Sequence, residues 1–234
     1  MTMLVASKKM KKFTWIKKFH ELRKEDNWNS VSDIIPNEFD NYFLIHWNIG
    51  IIDNFPFDTY PNKVNETIED INRRINIDKK FNLFLNPEED KLFRQTNLME
   101  IANMFNKSYD FKLLNKIKET PAIKILYEVS VNNLRQSIKV ITKEEKLNLF
   151  IQDTYRSYED KLEQELENIS VEDYIEWQKD FRFDYCTYLF PNNRKWCITT
   201  SEDLPMLLCT KKDTNEQIVS KFEMELFQIK YDEK

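Results

Sequence analysis

The chain has 234 residues, of which 41% are hydrophobic, and its 35 basic and 40 acidic residues give a net charge of −5. This hydrophobic content is sufficient for a sizeable core, which excludes a disordered chain. Gly50 is the one glycine in the sequence. Phosphate-binding loops of the GxGxxG and GxxxxGK(S/T) types and a GxSxG nucleophile elbow are therefore excluded.

The N-terminal segment is strongly basic. Residues 1–24 contain eight lysines and arginines and a single acid, Glu21, which leaves the remainder of the chain at −12. Apolar residues spaced along one helical face predict a helix over 13–28. A lysine-rich terminus of this kind usually forms a solvated surface, and we favour that interpretation. Binding of nucleic acid by residues 8–24 is the alternative.

The middle of the chain combines strand and helix signals. Residues 42–52 are rich in β-branched and aromatic side chains and predict a strand with Gly50 at a bulge or bend, and the alternating residues 122–129 predict another. The charged residues 157–168 continue a helix or form an exposed connector. Capping residues and apolar spacing predict helices over 66–76 (with Ile68, Ile71 and Ile75 inward), from 86, from 96, from 108, over 130–141, over 142–155 and from 170.

Glycine is also the residue that usually ends helices in the left-handed conformation. Asparagine tolerates that conformation better than the other residues with side chains. We therefore expect asparagine to take this role at Asn76, Asn106 and Asn192.

The last third predicts an antiparallel sheet. Residues 183–190 and 195–200 flank a four-residue loop and predict a hairpin, 204–210 adds a strand, and 217–231 predicts a closing helix. If Phe190 pairs with Lys195, Tyr188 and Phe190 share a mixed face with cysteine and threonine. Burial of this face under the closing helix is favoured, and partial exposure of Tyr188 and Phe190 beside Arg194 is the alternative.

These elements predict an α+β protein. A mainly helical N-terminal region, 1–121, precedes an α+β region, 122–234, that holds a small antiparallel sheet with flanking helices. One continuous domain is the alternative. No apolar run is long enough for a secretory signal or a membrane helix, and three cysteines, an odd number, then predict reduced thiols in a cytoplasmic protein.

Metal and cofactor sites are not predicted. Cys186 and Cys197 share a strand face that Cys209 can join, but no CxxC-type unit completes a zinc site, and cysteine in sheets usually packs as an apolar residue. His46 is expected to be half-buried and structural. A pair of His46 with a nearby carboxylate such as Asp53 is the enzymatic alternative, as the general base of a small hydrolase or transferase.

Residues 97–118 predict a helical hairpin whose first helix and turn have the spacing of a helix-turn-helix. Its second helix begins with Tyr109, Asp110 and Phe111, which places an acid and two aromatic residues where base-reading side chains belong. An ordinary hairpin is therefore favoured over a DNA-reading motif.

The aromatic and acidic residues near the hairpin loop suggest a partner-binding surface. Aromatic side chains beside an arginine are typical of protein interfaces, and acids suit a basic partner. The predicted partner-binding residues are Tyr188, Phe190, Arg194, Glu202 and Asp203. The sequence thus favours a non-enzymatic protein that binds another protein, for example a bacterial immunity or antitoxin-like inhibitor of a basic partner. No membrane contact is expected, and an enzyme using His46 or a nucleic-acid-associated protein remain the alternatives.

Overall fold

The computed structural model describes residues 2–22, 30–62, 65–83, 90–117, 119–143, 146–153, 163–181, 185–201 and 205–232. Over these residues the helices are α1 (Thr2–Leu22), α2 (Val31–Ile34), α3 (Ile68–Lys80), α4 (Leu98–Phe105), α5 (Leu113–Lys116), α6 (Tyr127–Thr142), α7 (Val171–Phe181) and α8 (Asn215–Val219). The strands are β1 (Asn41–His46), β2 (Ile49–Ile51), β3 (Arg94–Thr96), β4 (Ile123–Ile125), β5 (Leu147–Asp153), β6 (Glu163–Ile169), β7 (Tyr185–Pro191), β8 (Trp196–Thr200), β9 (Leu207–Thr210) and β10 (Glu225–Ile229). Short 3-10 turns lie at Asp90–Leu92 and Lys212–Thr214.

The chain divides into two compact units, the first formed by residues 1–46 and 131–234 and the second by residues 47–130. Among the described residues, the first unit holds a seven-stranded antiparallel sheet of order β10-β1-β9-β8-β7-β5-β6, and the second a three-stranded sheet of order β3-β2-β4. The predicted α+β class is confirmed, with a main sheet larger than expected. The predicted regions 1–121 and 122–234 do not coincide with these units, and the domain division stays a prediction.

The seven-stranded sheet is covered on both faces. On one face, α1 places the ring of Trp15 5.4 Å from that of Phe190 and the ring of Phe13 5.7 Å from it, measured between centroids. On the other face, Gln178 of α7 donates a 3.5 Å hydrogen bond to the hydroxyl of Thr187. Thr187 points to the face opposite that of Tyr188, because successive side chains along a strand alternate between the two faces. Because both faces are covered, nearly every residue of the central strands β7, β8 and β9 is buried.

The hairpin of β7 and β8 forms, with a pairing different from the expected one. Leu189 lies opposite Ile198, and Tyr188 lies opposite Thr199 rather than Cys197. The predicted pairing is thus displaced by two residues. Since side chains alternate with a period of two, a two-residue displacement leaves every side chain on its predicted face.

Two predicted helices are strands in the structure. The predicted helix over 142–155 is wrong because Thr142 ends α6, where its hydroxyl donates to the carbonyl of Lys139, and β5 follows. The predicted closing helix over 217–231 is correct only as far as Val219, where α8 ends, because β10 then pairs with β1 at the edge of the sheet. Both segments have short apolar runs, and periodicity alone does not separate a buried strand from a buried helix in such runs.

The three-stranded sheet surrounds Gly50. This residue lies in β2, between β3 and β4, and a Cβ built on it would lie 2.6 Å from Cδ2 of Leu126 and 2.7 Å from Cβ of Phe93. Gly50 therefore permits close packing, and it does not form the bulge or bend that we expected. The predicted strand over 122–129 is correct for β4 only, because α6 already begins at Tyr127.

The helices of the second unit differ from prediction mainly in their ends and faces. Thr67, rather than Asn65, caps α3, where its hydroxyl accepts from the N–H of Asp70. Ile68 is 79% exposed and Ile71 is also exposed, so their expected inward orientation is wrong. The capping box predicted at residue 170 is present before α7, whereas the helix start predicted at 86 lies outside the described residues. Within the described part of the chain, no helix is both long and apolar enough to cross a membrane.

Candidate functional site

A groove in the second unit is lined by the turn at residues 55–59 and the C-terminal end of α4. The turn is held by its own backbone, because the N–H groups of Thr59 and Tyr60 both donate to the carbonyl of Pro56, at 3.2 and 3.0 Å. The N–H of Phe57 donates to the carbonyl of Phe55 at 2.9 Å. These bonds fix the direction in which the side chains of the turn project.

The second wall of the groove is the end of α4. This helix is anchored by Leu98, Ile101 and Ala102, which are buried. Asn106 follows the helix with φ of 49° and ψ of 51°, the left-handed conformation that ends helices. The anchored face points inward, so Met104 remains on the outer side and is 47% exposed.

Aromatic rings form the floor of the groove. The rings of Phe57 and Phe105 meet edge to face with centroids 5.2 Å apart, and the Phe55 ring lies 5.0 Å from that of Phe57. Phe55 also contacts Tyr60 and Phe81, at 5.0 and 5.2 Å, within the core of the unit. Because its floor is part of the core, the groove is a fixed feature of this unit and not a gap between exposed side chains.

Five of the eight described residues that line the groove are apolar, and Asp58 is the charged one among them. The groove has a volume of about 520 Å³. The Asp58 side chain is exposed, and within the described residues it forms no ion pair. A concave surface that combines aromatic side chains with an exposed carboxylate can accept an apolar group that is followed by a cationic one.

The N-terminal end of α4 is fixed by an ion-pair network. Arg94 pairs with Glu100 at 2.6 Å and with Asp53 at 2.9 Å, and the hydroxyl of Thr96 donates to Glu100 at 2.7 Å. Hydrogen bonds from Arg94 and then from Thr96 lower the pKa of Glu100 below its ordinary value. The same carboxylates, Glu100 first, raise the pKa of Arg94. This network orients the helix whose other end forms the groove.

The predicted aromatic patch at Tyr188 and Phe190 is buried. Both side chains are at most 1% exposed, and they pack beneath Trp15 of α1. The Tyr188 hydroxyl donates to the carbonyl of Ile34. The alternative in which these two residues are partly exposed is wrong, because α1, from the N-terminal part of the chain, covers their face. The closing segment forms β10 instead of a covering helix, and its Ile229 packs against the same cluster.

The remaining predicted partner-binding residues are only partly described. Arg194 is exposed, pairs with Glu38 at 3.3 Å and lies 5.8 Å from the ring centroid of Trp15. Its guanidinium thus closes over the aromatic layer beneath α1. Glu202 and Asp203 lie outside the described residues. The five predicted residues therefore do not form one described surface.

The two members of the alternative catalytic pair have different surroundings. His46 ends β1 in the first unit, is 7% exposed, and lies 6.4 Å from the ring of Phe227 on the neighbouring strand. It is more deeply buried than the half-buried residue we expected. Asp53 belongs to the second unit, where both of its carboxylate oxygens accept from Nε of Arg94.

The cysteines are core residues. Cys186, Cys197 and Cys209 are all completely buried. Burial, followed by the neighbouring thiols, raises the pKa of Cys197 well above its ordinary value, and burial also raises that of Cys209. Among the described residues, no group of three His, Cys, Asp or Glu side chains is arranged to hold a metal ion.

The two features that suggested nucleic-acid binding are the basic N-terminal segment and the predicted helical hairpin, and the structure gives each a different interpretation. Lys12 pairs with Glu167 at 3.0 Å and Lys17 with Glu165 at 2.6 Å, so these lysines of the basic segment join α1 to the acidic strand β6. The second helix of the predicted hairpin, α5, is a single turn of four residues. One turn is too short to present several side chains along a major groove.

Comparisons with protein-family models, with curated proteins and with solved structures find no match for this chain.

The groove was not predicted from the sequence. Its signal was the segment Phe55-Pro56-Phe57, in which two aromatic residues flank a proline that fixes a turn. Nothing in the sequence places this turn beside Phe105, about fifty residues away, because that proximity follows from the tertiary fold.

Proposed function

We propose that this protein acts by binding another protein, and that the groove between residues 55–59 and the end of α4 anchors the interface. The observation that carries the proposal is a concavity of about 520 Å³ whose described lining includes three phenylalanines and an exposed methionine. Anchor residues of protein interfaces insert into such preformed pockets. Methionine is also common at binding surfaces, because its side chain adapts to different partners.

Charge indicates the chemistry of the partner. Asp58 is the charged residue of the groove, and the chain as a whole carries −5. A partner segment with an apolar anchor followed by lysine or arginine would place its cation beside Asp58. This is the contact expected of an immunity or antitoxin-like inhibitor of a basic partner, and it favours fast association. The buried, reduced cysteines are consistent with action in the cytoplasm.

A peptide library displayed on phage tests the proposal with the full chain as bait. Enriched peptides are expected to share an apolar residue next to a lysine or arginine. Their affinity, measured by fluorescence anisotropy, should fall about tenfold or more in the Met104→Glu variant, because a charge on the groove wall opposes an apolar anchor. The matched control is Met99→Glu, since Met99 lies on the same helix, is also 47% exposed and does not line the groove.

Binding that survives Met104→Glu, or that Met99→Glu weakens equally, would place the anchor elsewhere and overturn the proposal. An enriched set without an apolar residue would do the same. The Asp58→Lys variant tests the charge separately, and it should weaken basic peptides more at low salt than at high salt.

A further inference from the structure

The sulfur atoms of the chain differ sharply in their access to solvent. The sequence holds three cysteines and seven methionines. All three cysteines are completely buried in the first unit, and Met206 and Met224 of the same unit are only 5% and 6% exposed. In the second unit, Met99 and Met104 are each 47% exposed. Among the residues whose burial the structure describes, these two methionines are therefore the sulfur atoms that a dissolved oxidant reaches first.

The two exposed methionines lie on the same helix in different settings. Met104 lines the groove together with Phe57 and Phe105, whereas Met99 is not one of the lining residues. The two positions are five residues apart, which corresponds to about 140° of rotation around a helix. Because their exposure is the same, they differ in their relation to the groove and not in their access to solvent.

We propose that oxidation of Met104 to methionine sulfoxide weakens partner binding in the groove, so that binding depends on redox conditions. This inference rests on the proposed function, because it concerns regulation of the same site. Reduced Met104 offers a flexible apolar side chain to the anchor residue of a partner. The sulfoxide places a polar oxygen in the same position, where an apolar anchor would bury it without a hydrogen bond.

The oxidation needs a peroxide, of which hydrogen peroxide is the simplest. The thioether sulfur attacks one peroxide oxygen, and an S–O bond forms as the O–O bond breaks. The proton on the transferred oxygen passes to the departing hydroxide, which leaves as water. Sulfur loses two electrons and the peroxide gains them. Methionine sulfoxide reductases reverse the change with electrons from two thiols, which become a disulfide while the oxygen leaves as water.

The cysteines of this chain do not compete for the oxidant. Cysteine is usually oxidised readily, because its thiolate is a strong nucleophile when it is accessible. Here Cys186, Cys197 and Cys209 are all completely buried. A mild peroxide treatment therefore modifies the groove of the second unit while the thiols of the first unit stay reduced.

The accessibility of Met104 is tested by treating the full chain with hydrogen peroxide and following each methionine by peptide mass spectrometry. Met99 and Met104 should be oxidised at similar rates. Met206 and Met224 serve as buried references and should be oxidised at least about tenfold more slowly, because susceptibility follows exposure. Oxidation of Met104 as slow as that of Met206 would overturn the inference and leave the groove proposal intact.

The effect on binding is measured by fluorescence anisotropy with a labelled hexapeptide, Ser-Gly-Phe-Lys-Gly-Ser, which places an apolar residue before a cation. Met99→Leu keeps the methionine of the groove, and Met104→Leu is the matched control that keeps the other one. Peroxide should lower the affinity of Met99→Leu about tenfold, because the new oxygen loses its hydration when the anchor binds. Treatment with the reductases should restore it. In Met104→Leu the affinity should be the same before and after peroxide, whatever its starting value.

Equal weakening of the two variants by peroxide, or weakening of neither, would contradict the inference, because the effect would not come from Met104. The groove proposal would survive either result. Failure of the untreated full chain to bind the hexapeptide, or equal binding by Met104→Glu, would instead count against the groove itself, which this inference requires.

Discussion

At the scale of single residues, Gly50 has a steric role and not a conformational one. Glycine is usually required where φ is positive, but the structure contains no glycine with positive φ. What Gly50 supplies is space, because its strand approaches Leu126 and Phe93 more closely than a methyl group allows. The one glycine of the chain is thus kept where two buried side chains meet a central strand.

We expect Gly50→Ala to lower the free energy of unfolding by about 1–3 kcal/mol, since an added methyl group in a packed core forces its neighbours to move. Urea denaturation measures the change. In a Leu126→Ala background the same substitution should cost less, because the closest atom is then absent, and a double-mutant cycle reports the difference. A Gly50→Ala protein as stable as the parent would contradict the steric role.

Residue-level predictions from sequence were correct in type and often wrong in position. Asparagine does replace glycine in left-handed conformations, at Asn54, Asn65, Asn82, Asn106 and Asn168, but only Asn106 was predicted. Asn76 lies inside α3, and in the hairpin loop Arg194 rather than Asn192 has positive φ. The preference is intrinsic to the residue, whereas the position depends on where tertiary packing ends each element.

At the scale of elements, α1 and β6 depend on each other. Two lysines of α1 that looked available to nucleic acid, Lys12 and Lys17, pair with Glu163, Glu165 and Glu167, which alternate along one face of β6. Acidic residues on an edge strand also discourage pairing with another chain. The sequence shows a basic segment and an acidic segment about 150 residues apart, and local patterns do not reveal that they are neighbours in the fold.

The start of α4 gives a pH-dependent prediction for the element that carries the groove. The pKa of Glu100 is lowered in the folded protein by Arg94 and Thr96. Its contribution to stability is therefore complete above the ordinary pKa of a glutamate, which applies in the unfolded chain, and is lost as the pH falls through the lower folded value. Glu100→Gln should be slightly less stable than the parent at neutral pH, by roughly 0.5 kcal/mol or less since the pair is exposed.

Urea midpoints for Glu100→Gln and the parent should converge as the pH is lowered to the acid limit of the folded state. A difference that is constant across this range would mean that Glu100 acts through packing or the neutral hydrogen bond alone. Asp58→Asn serves as the control, because Asp58 is an exposed carboxylate of the same unit that has no ion pair among the described residues.

At the scale of the whole molecule, the large sheet is an internal layer. Two of the hydroxyls buried in it, those of Thr187 and Thr200, share a 2.6 Å hydrogen bond. The sequence identified a mixed face at Tyr188 and Phe190 but not the helix that covers it. Both faces are in fact covered, because α1 comes from the far end of the chain. Fold class was predictable from composition and pattern, but this long-range cover was not.

The three cysteines provide a test of whether the large sheet of the first unit stays covered in the native protein. Cys186, Cys197 and Cys209 lie on three adjacent strands and are completely buried. The raised pKa of Cys197 and of Cys209 also disfavours the reactive thiolate.

We expect a disulfide reagent such as DTNB to react very slowly with the native protein at mildly alkaline pH. All three thiols should react promptly in denaturant. Because access requires opening of the layer, the native rate should rise with urea as steeply as global unfolding does. Rapid reaction of any one thiol in the absence of urea would show that α1 leaves the sheet by a local opening, and the double-sided burial of the sheet would then be only a partial description of the native protein.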